Sequence, residues 1–264
     1  MRLIWRITML NLKARLEYRT EFLLAVGVGA AWQVSVVVFA TVLLVRFPGL
    51  GGWNSADVLL MASMRLLSHG LYVLILGRAS WVSILVQMGQ IDAFLLRPMP
   101  VHRQVQLAFF NVNAVGDLLV ALSLFVGALW AVGLDWTPWR VGYLLIALAG
   151  GVLMEGAIAT AVSSAALHGP ATSYFMLWLD ELMTAFGSYP LHILPGLVRD
   201  ALTFVLPLAF VAYLPCAVLT GHLDTLAVPE WLAVGAPVVG LVAYLAARRL
   251  WSFSLRHYKG MGSV

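Results

Sequence analysis

Five ionisable side chains interrupt otherwise apolar stretches of this sequence: Arg65, Asp117, Glu155, Asp180 and Glu181. An Arg or Asp at the centre of a membrane-crossing helix costs about 2.5–3.5 kcal/mol on insertion scales, so such groups face a bundle interior or a water-filled cavity. Two chemistries fit them. Glu155 and Asp117 can line a translocation path, with Arg65 beside it, and draw in a cationic or amphiphilic molecule. Alternatively, Arg65 neutralises one carboxylate and the pairing is structural. Reacting groups are scarcer. His69, His102, His168, His192, His222 and His257 lack metal-ligand spacing, and no H-E-x-x-H occurs. No nucleophile–base set gathers, so neither catalytic residues nor metal ligands are expected. A phosphate-binding loop of the G-x-x-x-x-G-K-[ST] type needs a lysine, and Lys13 and Lys259, the only two, follow no such glycine pattern. This chain does not bind ATP by that route.

The elements that position these groups follow from composition. Hydrophobic residues make up 62% of the 264 residues and charged ones 11%, against about 45–50% and about 25% in soluble domains. That much apolar surface does not fit inside one core, and the excess faces lipid. Ten Trp and eight Tyr suit two membrane–water interfaces. The net charge of +4 does not point to nucleic acid, because the basic residues sit beside apolar segments. The single Cys216 forms no intrachain disulfide. Charges from Arg2 to Glu21 leave no early apolar run before a small-residue cleavage site, so no cleaved signal is expected.

Apolar stretches run over 22–45, 58–76, 105–134, 141–167, 174–194, 201–219 and 231–247, each near the 20 residues that cross about 30 Å of hydrocarbon. They lack the two-residue alternation of strands. Of the 16 basic residues, most lie before the first stretch, in the loop after the second (Arg78, Arg97, Arg103) and in the tail, which makes these regions cytoplasmic. Seven crossings would put the two basic ends on opposite sides, so one stretch enters and leaves by the same face. The stretch 201–219 is the expected one, because Pro207 and Pro215 each remove a backbone donor. The alternative is that 201–219 is a kinked crossing and the acidic 174–194 fails to cross. The expected fold is therefore all-α and integral to the membrane: a cytoplasmic interfacial helix at 1–21, a transmembrane domain at 22–254 and a cytoplasmic tail at 255–264. Arg2, Arg6, Lys13 and Glu17 share one narrow helical arc beside Leu3, Ile7, Leu10 and Ala14, which suits a helix lying on the inner leaflet or an extension of the first span.

The cytoplasmic loop Gly89-Gln-Ile-Asp-Ala-Phe-Leu-Leu-Arg-Pro-Met-Pro100 carries one more signal. Ile91, Phe94 and Leu95 form a small apolar stripe at helical spacing, and Pro98 and Pro100 end the helix. The stripe packs either into a partner's groove or onto the membrane surface. Glycines at 27, 29, 150, 151 and 156 suit close helix approach.

This loop resembles the signature of ABC-2-type permeases, in particular the viologen-exporter-type subgroup. Leu16-Glu-Tyr-Arg19, Gly52-Trp53, Tyr189-Pro190, the stretch from Val205 to Gly221 and the terminal His257-Tyr-Lys-Gly-Met-Gly262 carry the same resemblance along nearly the whole chain. The resemblance implies six spans, an N-terminal interfacial helix, a re-entrant element around Pro207 and Pro215, and a coupling helix in the first cytoplasmic loop. By this likeness Gly89, Gln90, Ile91, Asp92, Phe94, Leu95, Leu96 and Arg97 dock on a separate ABC ATPase subunit. ATP and Mg would sit on that partner, with no cofactor in this chain. A second permease, identical or related, would complete a dimer in a bacterial plasma membrane, exporting a hydrophobic or cationic small molecule or a lipid. A membrane-embedded lipid-modifying enzyme would need clustered catalytic groups, and a secondary transporter internal repeats; the sequence displays neither.

Overall fold

In the computed structural model of the chain, residues 2–46, 51–108, 111–169 and 172–260 are described, and every regular element among them is helical. The basic segment forms its own helix, α1 (Arg2–Glu17), set off from α2 (Arg19–Arg46) by a bend at Tyr18. In α3 (Ser55–Ile75) the first turn is fixed by Asn54, whose side chain accepts from the Asp57 N–H at 2.9 Å. A 3-10 turn, Gly77–Trp81, leads into three short helices: α4 (Val82–Gln87), α5 (Gln90–Leu95) and α6 (Val101–Leu107). Two long helices follow, α7 (Asn113–Ala131) and α8 (Pro138–Ala166). Thr137 caps α8, and Pro138 sits in the first turn, where its missing N–H is not needed.

Next come α9 (Thr172–Phe186), α10 (Gly196–Asp200) and a π-helical turn at Ala201–Val205. The chain ends with α11 (Tyr213–Thr220), α12 (Glu230–Val234) and α13 (Ala236–Arg256). Four helices among the described residues, α3, α7, α8 and α13, are long and apolar enough to cross a membrane. The uncharged run 22–45 within α2 is about 36 Å long at 1.5 Å per residue.

Several expected stretches are subdivided. The stretch 105–134 is split between α6 and α7 where Asn111 and Asn113 sit, with residues 109 and 110 outside the described ones. The last stretch divides at Gly235, and α13 then runs on to Arg256. Arg248 and Arg249 are tolerated there because both are exposed and their long stems reach a polar interface. Within 174–194 the helix stops at Phe186. Its 15 residues reach about 22 Å, short of the roughly 30 Å of hydrocarbon. In 201–219 the two prolines act differently. Pro207 follows the π turn and ends it, whereas Pro215 is the third residue of α11, where its N–H would have no helical acceptor.

Glycines set the closest helix contacts. α13 packs on α8 with Gly240 against the Gly150 backbone, and a Cβ on Gly150 would lie 2.5 Å from Pro237 Cα. Gly29 meets the Asn113 carbonyl and Gly116 meets Val26 and Ala30, which joins α2 to α7; Gly27 faces open space. Gly240→Val is expected to force α8 and α13 apart at a cost of about 1–3 kcal/mol or more, read as a lower thermal midpoint in detergent. Gly127→Val, at a glycine with nothing nearby, should leave the midpoint unchanged.

Two cores result. One fills the bundle around α3, α8 and α11. The other, at the end rich in Arg and Lys, joins α4, α5 and α6 to Ala166, Leu167 and Trp251 at the ends of α8 and α13. At the opposite end Trp53 is fully buried. It stacks on Tyr213 at 5.6 Å and on His222 at 4.9 Å, with His192 tilted at 5.9 Å. His192 Nε2 lies 2.8 Å from the Gly51 carbonyl, and His222 Nε2 lies 2.8 Å from Asp57 Oδ2. Between these anchors the chain dips to Val211, whose carbonyl lies against Gly151 in α8 beside Ser68 of α3.

Candidate functional site

Two of the intramembrane ionisable residues, Arg65 and Glu155, meet one histidine, His69, at a single junction. Arg65, in the middle of α3, is 1% exposed, as is Glu155 of α8, and Arg65 Nε stands 3.7 Å from Glu155 Oε1. His69, one turn along α3, donates from Nδ1 to Glu155 Oε2 at 2.7 Å. A buried carboxylate is tolerable only when paired and hydrogen-bonded, and Glu155 has both. Gly187, just beyond the end of α9, lies flat on Arg65; a Cβ there would stand 2.9 Å from Arg65 Nε. The junction thus ties α3, α8 and the end of α9 together. His69 went unrecognised from sequence, although Arg65 and His69 are four apart and share a helix face.

Asp117 lies apart from this junction. Its Oδ1 is buried without a hydrogen-bond partner among the described residues. It lines a cleft of about 910 Å³ with Arg65 and His69, across from Asp180, Glu181 and Thr184 on α9, with Trp32 and Gln33 of α2 on the flank. Asp180, Glu181 and Thr184 fall at helical spacing, so α9 presents a polar stripe to the cleft, with Leu177 one turn before it and Ser188 just beyond the helix end. A smaller cavity of about 410 Å³ adjoins it toward Gly77–Trp81. Glu155, Tyr72 and Asp180 reach it among apolar residues such as Ile158, Met176 and Met183. Both volumes fall in the range of small-molecule pockets, about 300–1,000 Å³. Arg65, Asp117 and Glu155 all border this connected space. Arg65 and Glu155 pair at 3.7 Å, with Arg65 Nε and Nη2 and Glu155 Oε1 left without a hydrogen bond among the described residues, and the carboxylates that face the opening are Asp117, Asp180 and Glu181.

At the Arg- and Lys-rich end, α5 begins at Gly89, whose φ of +67° favours glycine. Its stripe divides. Ile91, fully buried, and Phe94 point inward onto Val82, Val101 and Trp251, so they root the helix in the chain's own core. Leu95 is 48% and Leu96 88% exposed, beside exposed Met88 and Gln90. Arg97 lies 5.5 Å from the centre of the Phe94 ring. Gln104 Nε2 donates to the Phe94 and Met99 carbonyls at 2.8 and 2.7 Å, which fixes the end of α5. Asn11 of α1 donates to the Leu107 carbonyl at 2.9 Å. His102 packs edge-on against Trp251 at 5.5 Å. Burial, with Arg248 nearby, pushes its pKa down to about 4, so it is a neutral packing group at neutral pH.

No curated protein and no solved structure gives a significant match to the chain. A family model does: that of the ABC-2 family transporter protein, over residues 30–262. The match takes in the α3 and α8 junction, the cleft, α5 and its mount, and α13. With its long apolar helices and its matched length, this membrane chain belongs to the ABC-2 transporter family.

Proposed function

We propose that the chain is a permease subunit of an ATP-driven exporter of the viologen-exporter-type subgroup, paired with a second permease and driven by a separate ABC ATPase that holds ATP and Mg. Members of the family are transporter membrane components that work with ABC ATPases. The observation that carries the reading is the mounting of α5. Ile91 and Phe94 anchor it on the inner ends of α8 and α13, while Leu95, Leu96 and Met88 project outward with no cover. An exposed apolar group on a rigid mount is what a moving partner needs to grip, and a rigid mount passes the displacement on.

Six crossings are proposed, α2, α3, α7, α8, the segment from α9 through Leu194, and α13, with both termini in the cytoplasm of a bacterial cell. Segment 201–219 is proposed as re-entrant, because both its flanks hold the one aromatic cluster at Trp53 while Val211 lies at the depth of Gly151. The second permease is proposed to cover the α2–α9 face. Asp180 and Glu181 are exposed there, and carboxylates at that depth need protein or water rather than lipid. The cargo is proposed to be a hydrophobic or cationic small molecule or a lipid, admitted at the cleft where Asp117, Asp180 and Glu181 leave the net charge negative.

Leu96→Asp tests the docking surface. A buried Leu contributes about 1.5–3 kcal/mol, so the change should lower retention of the ABC ATPase partner about tenfold or more. Permease yield should be unchanged, since Leu96 touches no core. Leu95→Asp should act in the same direction. Full ATPase retention by both variants would end the docking assignment.

A further inference from the structure

The motif at the end of the chain, His257-Tyr258-Lys259-Gly260, returns to the first cytoplasmic loop. α13 ends at Arg256, and His257 turns the chain back with its Nδ1 2.9 Å from the Phe253 carbonyl. Tyr258, half-buried, then packs onto the same small core that holds Ile91, Phe94 and Trp251. Its hydroxyl is buried with no hydrogen-bond partner among the described residues. Burial first, and nearby Asp92 second, push the phenol up to about 12, so at neutral pH it keeps its proton. Two residues on, Gly260 passes directly against Asp92. A Cβ there would stand 3.1 Å from Oδ1 and 3.5 Å from Cγ. A larger residue at 260 would push the backbone off α5 or turn Asp92 away.

Asp92 belongs to α5 but not to its exposed apolar surface, and Tyr258 and Gly260 touch neither that surface nor the cleft. Their contacts join α5 to α13 directly. We propose that the segment Tyr258–Gly260 is a strap that binds the end of α13 to α5 through Asp92, so that displacement of α5 moves α13 without lag. Asp92, Tyr258 and Gly260 are positioning residues in this scheme. The proposal rests on the reading of α5 as the element gripped by an ATPase.

Two measurements test it on the full chain. For the contact, Asp92→Cys/Gly260→Cys is oxidised mildly in membranes. The Cys Sγ would replace Asp92 Cγ, 3.5 Å from the new Cβ, which suits a disulfide. Native Cys216 is buried and does not compete. More than about half of the thiol pairs should become resistant to alkylation; under about one tenth would overturn the strap. For the coupling, an environment-sensitive fluorophore is placed at exposed Ser252 by Ser252→Cys, and its response to ATP plus vanadate is followed in the permease–ATPase complex. Gly260→Val should retain the ATPase yet shrink the response at least about fivefold. The oxidised cysteine pair should keep it. A response in Gly260→Val above half that of the unmodified complex would overturn the proposal. No response in the unmodified complex, with the disulfide formed, would instead remove the ATPase-driven reading and leave the contact standing.

Discussion

Arg65→Met is expected to cost about 3–5 kcal/mol of folding stability, because it leaves Glu155 buried and ionised with only His69 to offset it. Arg65 and Glu155 are each about 1% exposed, so solvent cannot take over from the lost partner. Glu155→Gln alone should cost a similar amount through the stranded guanidinium. Joined as Arg65→Met/Glu155→Gln, the two changes should cost well under the sum of the single ones, since removing both charges removes the need for pairing. Thermal midpoints in detergent across the four proteins complete the cycle. Arg199→Met provides the contrast: the Arg199–Asp200 pair is half-buried at Arg199 and exposed at Asp200, and its loss should cost under about 1 kcal/mol. Strict additivity of Arg65→Met and Glu155→Gln would mean that the two side chains do not act on each other.

Trp53→Ala should be comparably damaging. Removing a buried Trp costs about 3–5 kcal/mol, and here the ring also holds two separate parts of the chain. It stacks on Tyr213 and His222 and faces His192, and its Nε1 donates to Thr225 Oγ1 at 3.3 Å. Each aromatic contact adds about 0.5–1.5 kcal/mol beyond burial. Trp53→Phe keeps a stacking face and should recover part of the loss. Trp130→Ala, at a ring 84% exposed, should barely move the midpoint in detergent. Limited proteolysis gives a second readout, with new cleavage in 191–194 and 222–226 expected only for Trp53→Ala. Equal midpoints for Trp53→Ala and Trp130→Ala would show that the cluster holds nothing together.

Long uninterrupted apolar runs made most of the bundle legible in the sequence. The long apolar stretches over α2, α3, α7, α8 and α13 need only length and hydropathy, and Gly29, Gly150 and Gly151 do sit where backbones touch. Interruptions were harder to read. Hydropathy does not register that α9 stops at Phe186 or that Asn111 and Asn113 separate α6 from α7, because a polar or irregular residue barely changes a 20-residue average. At the site, the sequence singled out Arg65, Asp117 and Glu155 without saying which would pair. Arg65 and Glu155 are 90 residues apart, and only the packing of α3 on α8 joins them. The same packing recruits His69 and leaves Asp117 to the cleft. For α5, spacing identified the apolar stripe but not its direction. The side of a six-residue helix that turns inward is decided by partners such as Val101 and Trp251, which come from other elements.

The contact of Gly150 with Gly240 has a mechanical corollary. Where two helices meet main chain to main chain, as at Gly150 and Gly240, there is little side chain to yield, and the pair moves there as one stiff beam rather than two sliding rods. α8 has 29 residues and so extends about 43 Å. Tilted by about ten degrees about one tip, a beam of that length sweeps its far tip through about 7 Å. A small tilt imposed at one end of the pair would thereby reach the other end as a displacement of several ångströms.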